Sequence, residues 1–166
     1  MTVKMNLLND KVLRDQLKQL QKKFPQEARE ILVEVALVDV ETYMKKNDIP
    51  VDTGRLRASI HTKFKNGMSK QYTPESETYS DNEGNTFDGT LSGKLTIDSV
   101  IVGTNVEYAG KINRIGGGGE NSKRTVGGMK RSKGYGKGFF DNAVKNGEMR
   151  LLAEMKNLVN RAGGLV

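Results

Sequence analysis

Between Pro25 and Pro50 the chain carries its longest helical pattern, and that stretch limits the possible folds more than any other. From Gln26 to Lys46, Ala28, Ile31, Leu32, Val35, Leu37 and Val38 are apolar, while Glu27, Glu30, Glu34 and Glu41 form a polar edge. So wide an apolar face predicts a helix buried on more than one side. Pro25 has no N–H to donate, so it kinks the preceding helix or opens a new one at its own first turn. Lys45, Lys46 and Asn47 end the pattern with basic residues suited to the negative end of the helix dipole, and Pro50 prevents continuation. Upstream, Leu13, Leu17, Leu20 and Phe24 recur at spacings of four, three and four behind the capping residues Asn9 and Asp10, predicting an earlier helix. From Phe139 onward Phe140, Val144, Leu151, Met155, Leu158 and Val159 share a face, predicting a last one.

Strand patterns lie between these helices. Leu56, Ala58, Ile60, Thr62 and Phe64 alternate with Arg57, Ser59, His61 and Lys63, which predicts a strand over 56–64 with His61 on its polar, exposed side. Asn66-Gly67 reads as a turn and Met68–Tyr72 as a short return strand, making a hairpin. Residues 73–92 are polar and acidic, with Glu75, Glu77, Asp81, Glu83 and Asp88 and no basic residue, and read as an exposed loop or long hairpin tip. Lys94 to Gly103 regains β-branched residues and reads as another strand. Residues 111–138 then combine base with glycine: Lys111, Arg114, Lys123, Arg124, Lys130, Arg131, Lys133 and Lys137, with Glu120 the lone acid. This stretch has no apolar period and reads as a loop ordered by a partner. The expected fold is α+β: long N-terminal helices and a C-terminal helix packed on a small antiparallel sheet with long flexible loops. With 166 residues, 1–166 is expected to be a single domain.

Composition removes most chemistry. With no cysteine there is no thiol nucleophile, redox pair or Cys-ligated metal, and with His61 as the sole histidine a multi-histidine metal site within one chain is excluded. A Ser-His-Asp triad would rest on His61 alone, and no G-x-S-x-G precedes it. Asp81-Asn82-Glu83-Gly84-Asn85 fails as a calcium loop, because Thr86 stands where glycine is needed and Ser92 where a bidentate carboxylate is needed. No phosphate loop is present, no cofactor is implied, and Met1–Asn6 lacks the apolar core of a signal peptide. No apolar run reaches the ~20 residues that span a bilayer, so no membrane partner is expected. The net charge of +7 favours an anionic partner, and its carriers bind phosphate without reading sequence.

Asp52-Thr53-Gly54 is the tripeptide that aspartic proteases place at their catalytic turn. A dimer sharing two Asp52 carboxylates would be needed for that chemistry. Here a helix and Pro50 precede it and Arg55 follows, a context better suited to a structural turn in which Asp52 and Thr53 bond the backbone and Gly54 supplies a permissive φ.

The segment Ile49-Pro-Val-Asp-Thr-Gly-Arg-Leu-Arg-Ala-Ser-Ile60 resembles the tail-completion, or head-to-tail joining, proteins of long-tailed double-stranded DNA bacteriophages. In that family a long N-terminal helix leads into Pro-Val-Asp-Thr-Gly-x-Leu-Arg-x-Ser-Ile, matched here by Pro50, Val51, Asp52, Thr53, Gly54, Leu56, Arg57, Ser59 and Ile60. A Val-Gly-Thr strand end and a Tyr-Ala pair match Val102, Gly103, Thr104, Tyr108 and Ala109, and Gly138-Phe139-Phe140 with Asn142-Ala143 is similar to the start of the family's last helix. The sequence departs from the family at Ile112–Gly116, at Gly138 where the family has proline, and in 73–92, which looks like an insertion.

The resemblance implies a non-enzymatic structural protein of the virion, made in the host cytoplasm. It would form a homo-oligomeric ring, six subunits in the family, at the neck around the DNA channel. Its partners would be the head connector or stopper protein on one side and the tail tube or tail terminator protein on the other. In such a ring the basic residues of 111–138 are candidate assembly or DNA-channel contacts, and the acids of 73–92 a candidate interface. A free sequence-nonspecific DNA-binding protein is the alternative, and the Asp52 protease a remote one.

Overall fold

The structure, a computed structural model, describes residues 2–3, 15, 18–19, 22–47, 54–115, 125–126, 129–130 and 137–161. Asp15, Lys18, Gln19, Lys22 and Lys23 are helical, while the expected stripe residues Leu13, Leu17 and Leu20, with the caps Asn9 and Asp10, lie outside the described residues.

A short strand β1 (Thr2–Val3) opens the chain. Helix α1 (Pro25–Glu34) starts on its proline, with Phe24 as the N-cap. The Phe24 carbonyl accepts the Ala28 N–H at 3.0 Å. Pro25 therefore begins a new helix, at the one place where a missing N–H costs nothing. The helix continues through a π-helical segment, Val35–Glu41, into α2 (Thr42–Asn47). The N–H and the hydroxyl of Thr42 both reach back to the Leu37 carbonyl, the hydroxyl at 2.9 Å. A five-residue reach is the hydrogen-bond step of a π-helix, and it swings the apolar face partway around the axis. Val33, Ala36, Val40 and Met44 enter one core cluster, while Ala28 and Val35 enter a second. The expected burial on more than one side is thus achieved by a change of helical pitch.

The chain then runs through a helical turn, α3 (Arg55–Ala58), into β2 (His61–Lys63). A hairpin follows, β3 (Thr78–Ser80) and β4 (Thr86–Asp88), and then β5 (Ile101–Gly103). After β5 come α4 (Ala109–Ile115), the pair β6 (Thr125–Val126) and β7 (Met129–Lys130), and a 23-residue helix α5 (Phe139–Arg161). The main sheet has the order β1-β5-β2, antiparallel throughout, with Thr62 opposite Val102 and Val3 opposite Val102 on the other side. The fold is α+β.

Several strand expectations are corrected. The predicted strand over 56–64 is a helical turn followed by three residues of strand. Leu56 and Ile60 are spaced equally well for a helix face, and both are buried, so over so few residues alternation and helical period fit the same apolar positions. Met68–Tyr72 is not a strand. Met68 N–H bonds the Lys65 carbonyl at 3.2 Å and Gly67 has φ +83° while Asn66 does not have positive φ. That is a type II turn, whose backbone does not lead into a tight hairpin as type I′ would. The strand expected over 94–103 shrinks to its last three residues, because Thr96 and Ser99 close a turn on each other. Within 73–92 the hairpin reading, one of the two expected, holds at the centre, where Thr78–Ser80 pairs with Thr86–Asp88.

Helix α5 lies across the π-segment. A Cβ added at Gly147 would stand 2.4 Å from Val40 Cγ2, so only glycine permits this approach. On one side of the crossing Asn146 Nδ2 donates to the Asp39 carbonyl at 3.1 Å. Below it, Glu41 is buried and accepts from Lys45 Nζ at 2.5 Å and Thr62 Oγ1 at 2.5 Å, tying the helix to β2.

Candidate functional site

Gly54, with φ +79°, is the left-handed residue that turns the chain into α3. Its carbonyl accepts the Ala58 N–H at 2.9 Å, and Leu56 and Ile60 drop into the core. Ser59, fully buried, donates its hydroxyl proton to the Leu56 carbonyl at 2.8 Å, so in its 2.5 Å contact with Thr104 the threonine is the donor. Thr104 Oγ1 in turn accepts the Val106 N–H at 3.1 Å. A chain of hydroxyls thereby joins the end of α3 to the end of β5. Pro50, Asp52 and Thr53 lie outside the described residues, whereas Gly54, Leu56 and Arg57 are placed at this turn.

The β3–β4 hairpin closes over the turn from outside. A Cβ on Gly54 would sit 2.5 Å from the Asn82 side chain, so the hairpin tip rests on the glycine. Arg55 lies 4.2 Å over the Phe87 ring and hydrogen-bonds Tyr79, which stacks on Phe87 with centroids 5.4 Å apart. Between these side chains and Asn105–Tyr108 lies a polar cleft of ≈ 370 Å³, bridged by Asn105 Nδ2 donating to the Asp88 carbonyl at 2.6 Å.

Most of the hairpin's acids have local work. Glu77 pairs with Lys63, and that contact holds its carboxyl below the usual range. Asp88 accepts from the Thr90 hydroxyl at 2.6 Å and N–H at 2.9 Å, which lowers its pKa. Asp81 closes the hairpin tip on the Glu83 and Asn85 N–H groups and the Asn85 amide. Desolvation pushes its pKa up, but these bonds outweigh it and the net shift is downward. Glu75, Glu83 and Asp88 are the exposed members of the set, and Glu77 and Asp81 are half-buried.

In the basic stretch, Lys111 and Arg114 stand exposed on α4, a helix where a loop was expected. Ala109, buried, and Ile112, half-buried, are spaced for one helical face against the core, and this gives the segment its reason to coil. Lys137 is exposed just before α5, Lys130 lies in β7, and Lys123, Arg124, Arg131 and Lys133 lie outside the described residues. The two ends of the stretch meet at Asn113. Its carbonyl accepts the Gly138 N–H at 2.7 Å, its Oδ1 accepts the Phe140 N–H at 2.9 Å, and its Nδ2 donates to Asp141 at 3.1 Å. Asn113 thus caps α5 from outside that helix and closes the base of a 24-residue excursion, 114–137.

His61 also departs from expectation. It is buried at 7% exposure, and its Nδ1 bonds the Ser59 carbonyl at 2.9 Å, so the proton is on Nδ1, and among the described residues no carboxylate hydrogen-bonds the ring. Strand alternation misplaced it because β2 has both faces covered. Asn113 and Glu41 carried no signal in the sequence, since each depends on partners 20 or more residues away, and Ser59 and Thr104 stand in separate motif segments with nothing in the sequence to show that they bond each other. Among the described residues no group of three His, Cys, Asp or Glu is arranged to hold a metal, and no helix is long and apolar enough to cross a membrane. No family model, curated protein or solved structure matches this chain.

Proposed function

We propose that this protein is a tail-completion protein, a structural subunit that joins the phage head connector to the tail as a ring around the DNA channel. One observation carries the reading: the motif pieces that resemble that family, scattered over some 90 residues, meet in one place. Gly54–Ile60 contributes Leu56, Ile60 and Ser59, and the Val-Gly-Thr segment contributes Val102 and Thr104. The Tyr-Ala pair contributes Ala109, and the Gly-Phe-Phe segment contributes Phe139 and Phe140 to the same core cluster. These residues have a shared structural reason to occur together, which a chance run of short motifs lacks.

The chemistry is that of a scaffold. Buried hydroxyls, a glycine turn and an aromatic–arginine stack fix geometry, and among the described residues of the cluster no nucleophile is paired with a base. A closed ring uses two different faces of each subunit, and the acidic hairpin and the basic residues of 111–138 are the candidate contacts for them. Self-association in a ring of the family's six subunits, the connector or stopper above, and the tail tube or terminator below are the partners this role requires. The assembled protein would reside at the virion neck.

Deleting the gene from its parental phage tests the role. Filled heads and finished tails should accumulate unjoined in electron micrographs, and joined particles would refute the reading. Charge reversal at Lys123, Arg124, Lys130 and Arg131 should block joining while leaving the chain folded, and a normal phage yield would exclude these residues as assembly contacts. Should the purified chain instead bind any duplex in a strongly salt-dependent way and form no ring, the free DNA-binding alternative would take its place.

A further inference from the structure

The structure assigns Asn66 as a site of spontaneous covalent modification, at which the folded protein loses ammonia through a cyclic imide and acquires an aspartyl or isoaspartyl residue. The chain contains two Asn-Gly pairs, Asn66-Gly67 and Asn146-Gly147. A glycine after asparagine removes the Cβ that would otherwise hinder attack by the next backbone nitrogen, so both pairs are equally reactive as sequence. The fold treats them oppositely.

Asn66 and Gly67 are exposed at the middle of the type II turn, and a Cβ on Gly67 would meet nothing within 4 Å. Neither the Asn66 amide nor the Gly67 N–H is hydrogen-bonded to a described residue, while the turn's single bond, Met68 N–H to Lys65 carbonyl, is at 3.2 Å. The imide-forming geometry is therefore reached by rotating a solvated amide plane. Asn146 is half-buried within the long helix α5, its Nδ2 held by the Asp39 carbonyl at 3.1 Å, and Gly147 is packed against Val40. Attack there requires the helix to open against its own core, and local opening in packed elements costs several-fold more than in an exposed turn.

The step balances without any outside reagent except water. The Gly67 backbone nitrogen, giving its proton to hydroxide, forms a bond to Asn66 Cγ. The Cγ–Nδ2 bond breaks and the amide nitrogen leaves as ammonia, taking a proton from water. Water then opens the imide at either carbonyl, giving Asp or isoaspartate at position 66. The product places a carboxylate beside Lys65. The isoaspartyl form adds a methylene to the main chain between Phe64 and Met68, both buried.

The test incubates the full-length folded protein in heavy-oxygen water at mildly alkaline pH, quenches in acid, digests with pepsin, and reads label at each asparagine by mass spectrometry. Label at Asn66 should exceed that at Asn146 by about tenfold or more, the factor that ~1.4 kcal/mol of local opening free energy produces. In urea the two sites should label alike. Asn66→Gln should abolish the fast label and leave the thermal melt unchanged. Equal labelling of the two sites in the folded protein, or the same ratio folded and unfolded, would overturn the assignment. So would a folded protein in which Asn66 stays unlabelled while the urea-unfolded chain reacts.

Discussion

The crossing of α5 over the π-segment rests on a missing methyl group, and Gly147→Ala measures it. In an open helix this change stabilises by about 0.8 to 1.0 kcal/mol, because alanine is the better helix former. Here the new Cβ falls 2.4 Å from Val40 Cγ2 and 3.6 Å from Val35 Cγ1. Relaxed carbon contacts lie at about 3.5 to 4.0 Å, so one contact is short by more than 1 Å. Val40 is fully buried and β-branched, with essentially one χ1 well open to it in a helix, so the strain cannot be relieved by rotation. Overpacking of this kind costs about 1 to 3 kcal/mol, and the rigid neighbour argues for the upper end. The net expectation is a loss of about 2 kcal/mol, or about 4 to 8 °C in Tm for a chain of this size. Differential scanning calorimetry of the two proteins reads it directly. The decisive comparison repeats the substitution in a Val40→Ala background, where the obstructing methyl is gone and Gly147→Ala should become neutral or stabilising, a coupling of about 2 to 3 kcal/mol. A higher Tm for Gly147→Ala alone, or an equal cost in both backgrounds, would refute the close-approach argument.

Other perturbations address the remaining elements. Asn113→Ala removes the acceptor for the Phe140 N–H and one clamp on the excursion, and should cost about 1 to 2 kcal/mol while speeding proteolysis within 114–137. An unchanged cleavage rate would show that the Asn113 side chain does not protect this stretch. Thr104→Val strands the Val106 N–H and the Ser59 hydroxyl's second bond, for a cost of about 1 to 3 kcal/mol in urea unfolding. The carboxyls of Glu77 and Asp88 are held below their ordinary values, so they stabilise the fold at neutral pH and that contribution is lost as pH falls through the carboxylate range. Glu77→Gln should therefore lower Tm at pH 7 and make less difference in acid. Asp39 is the opposite case: burial raises its pKa, with Arg150 opposing and Glu154 adding, so its ionised form disfavours the fold. Asp39→Asn should raise Tm slightly at pH 7, with the gain fading in acid as the wild-type carboxyl protonates.

The helices were legible because their information is local and redundant. Pro25 marks the start of α1, the apolar positions from Ala28 to Val35 mark its burial, and the stripe from Phe140 to Val159 marks α5, each by many residues that agree. The glycine turn at 54 was legible for a similar reason, since a left-handed φ favours one residue type. What composition excluded, thiol and multi-histidine chemistry, needed only counting. The tertiary structure decided the rest. Over the few residues from Leu56 to Phe64, strand and helix put the same apolar side chains inward, and the Ser59–Thr104 bond and pairing with β5 settled where one ends and the other begins. Whether His61 faced water depended on what covered its strand, and whether the acids of the hairpin were free depended on Lys63 and on the hairpin's own backbone. The role of Asn113 arises only when α4 is brought to the start of α5, because a hydrogen bond between distant residues leaves no periodic trace in either segment.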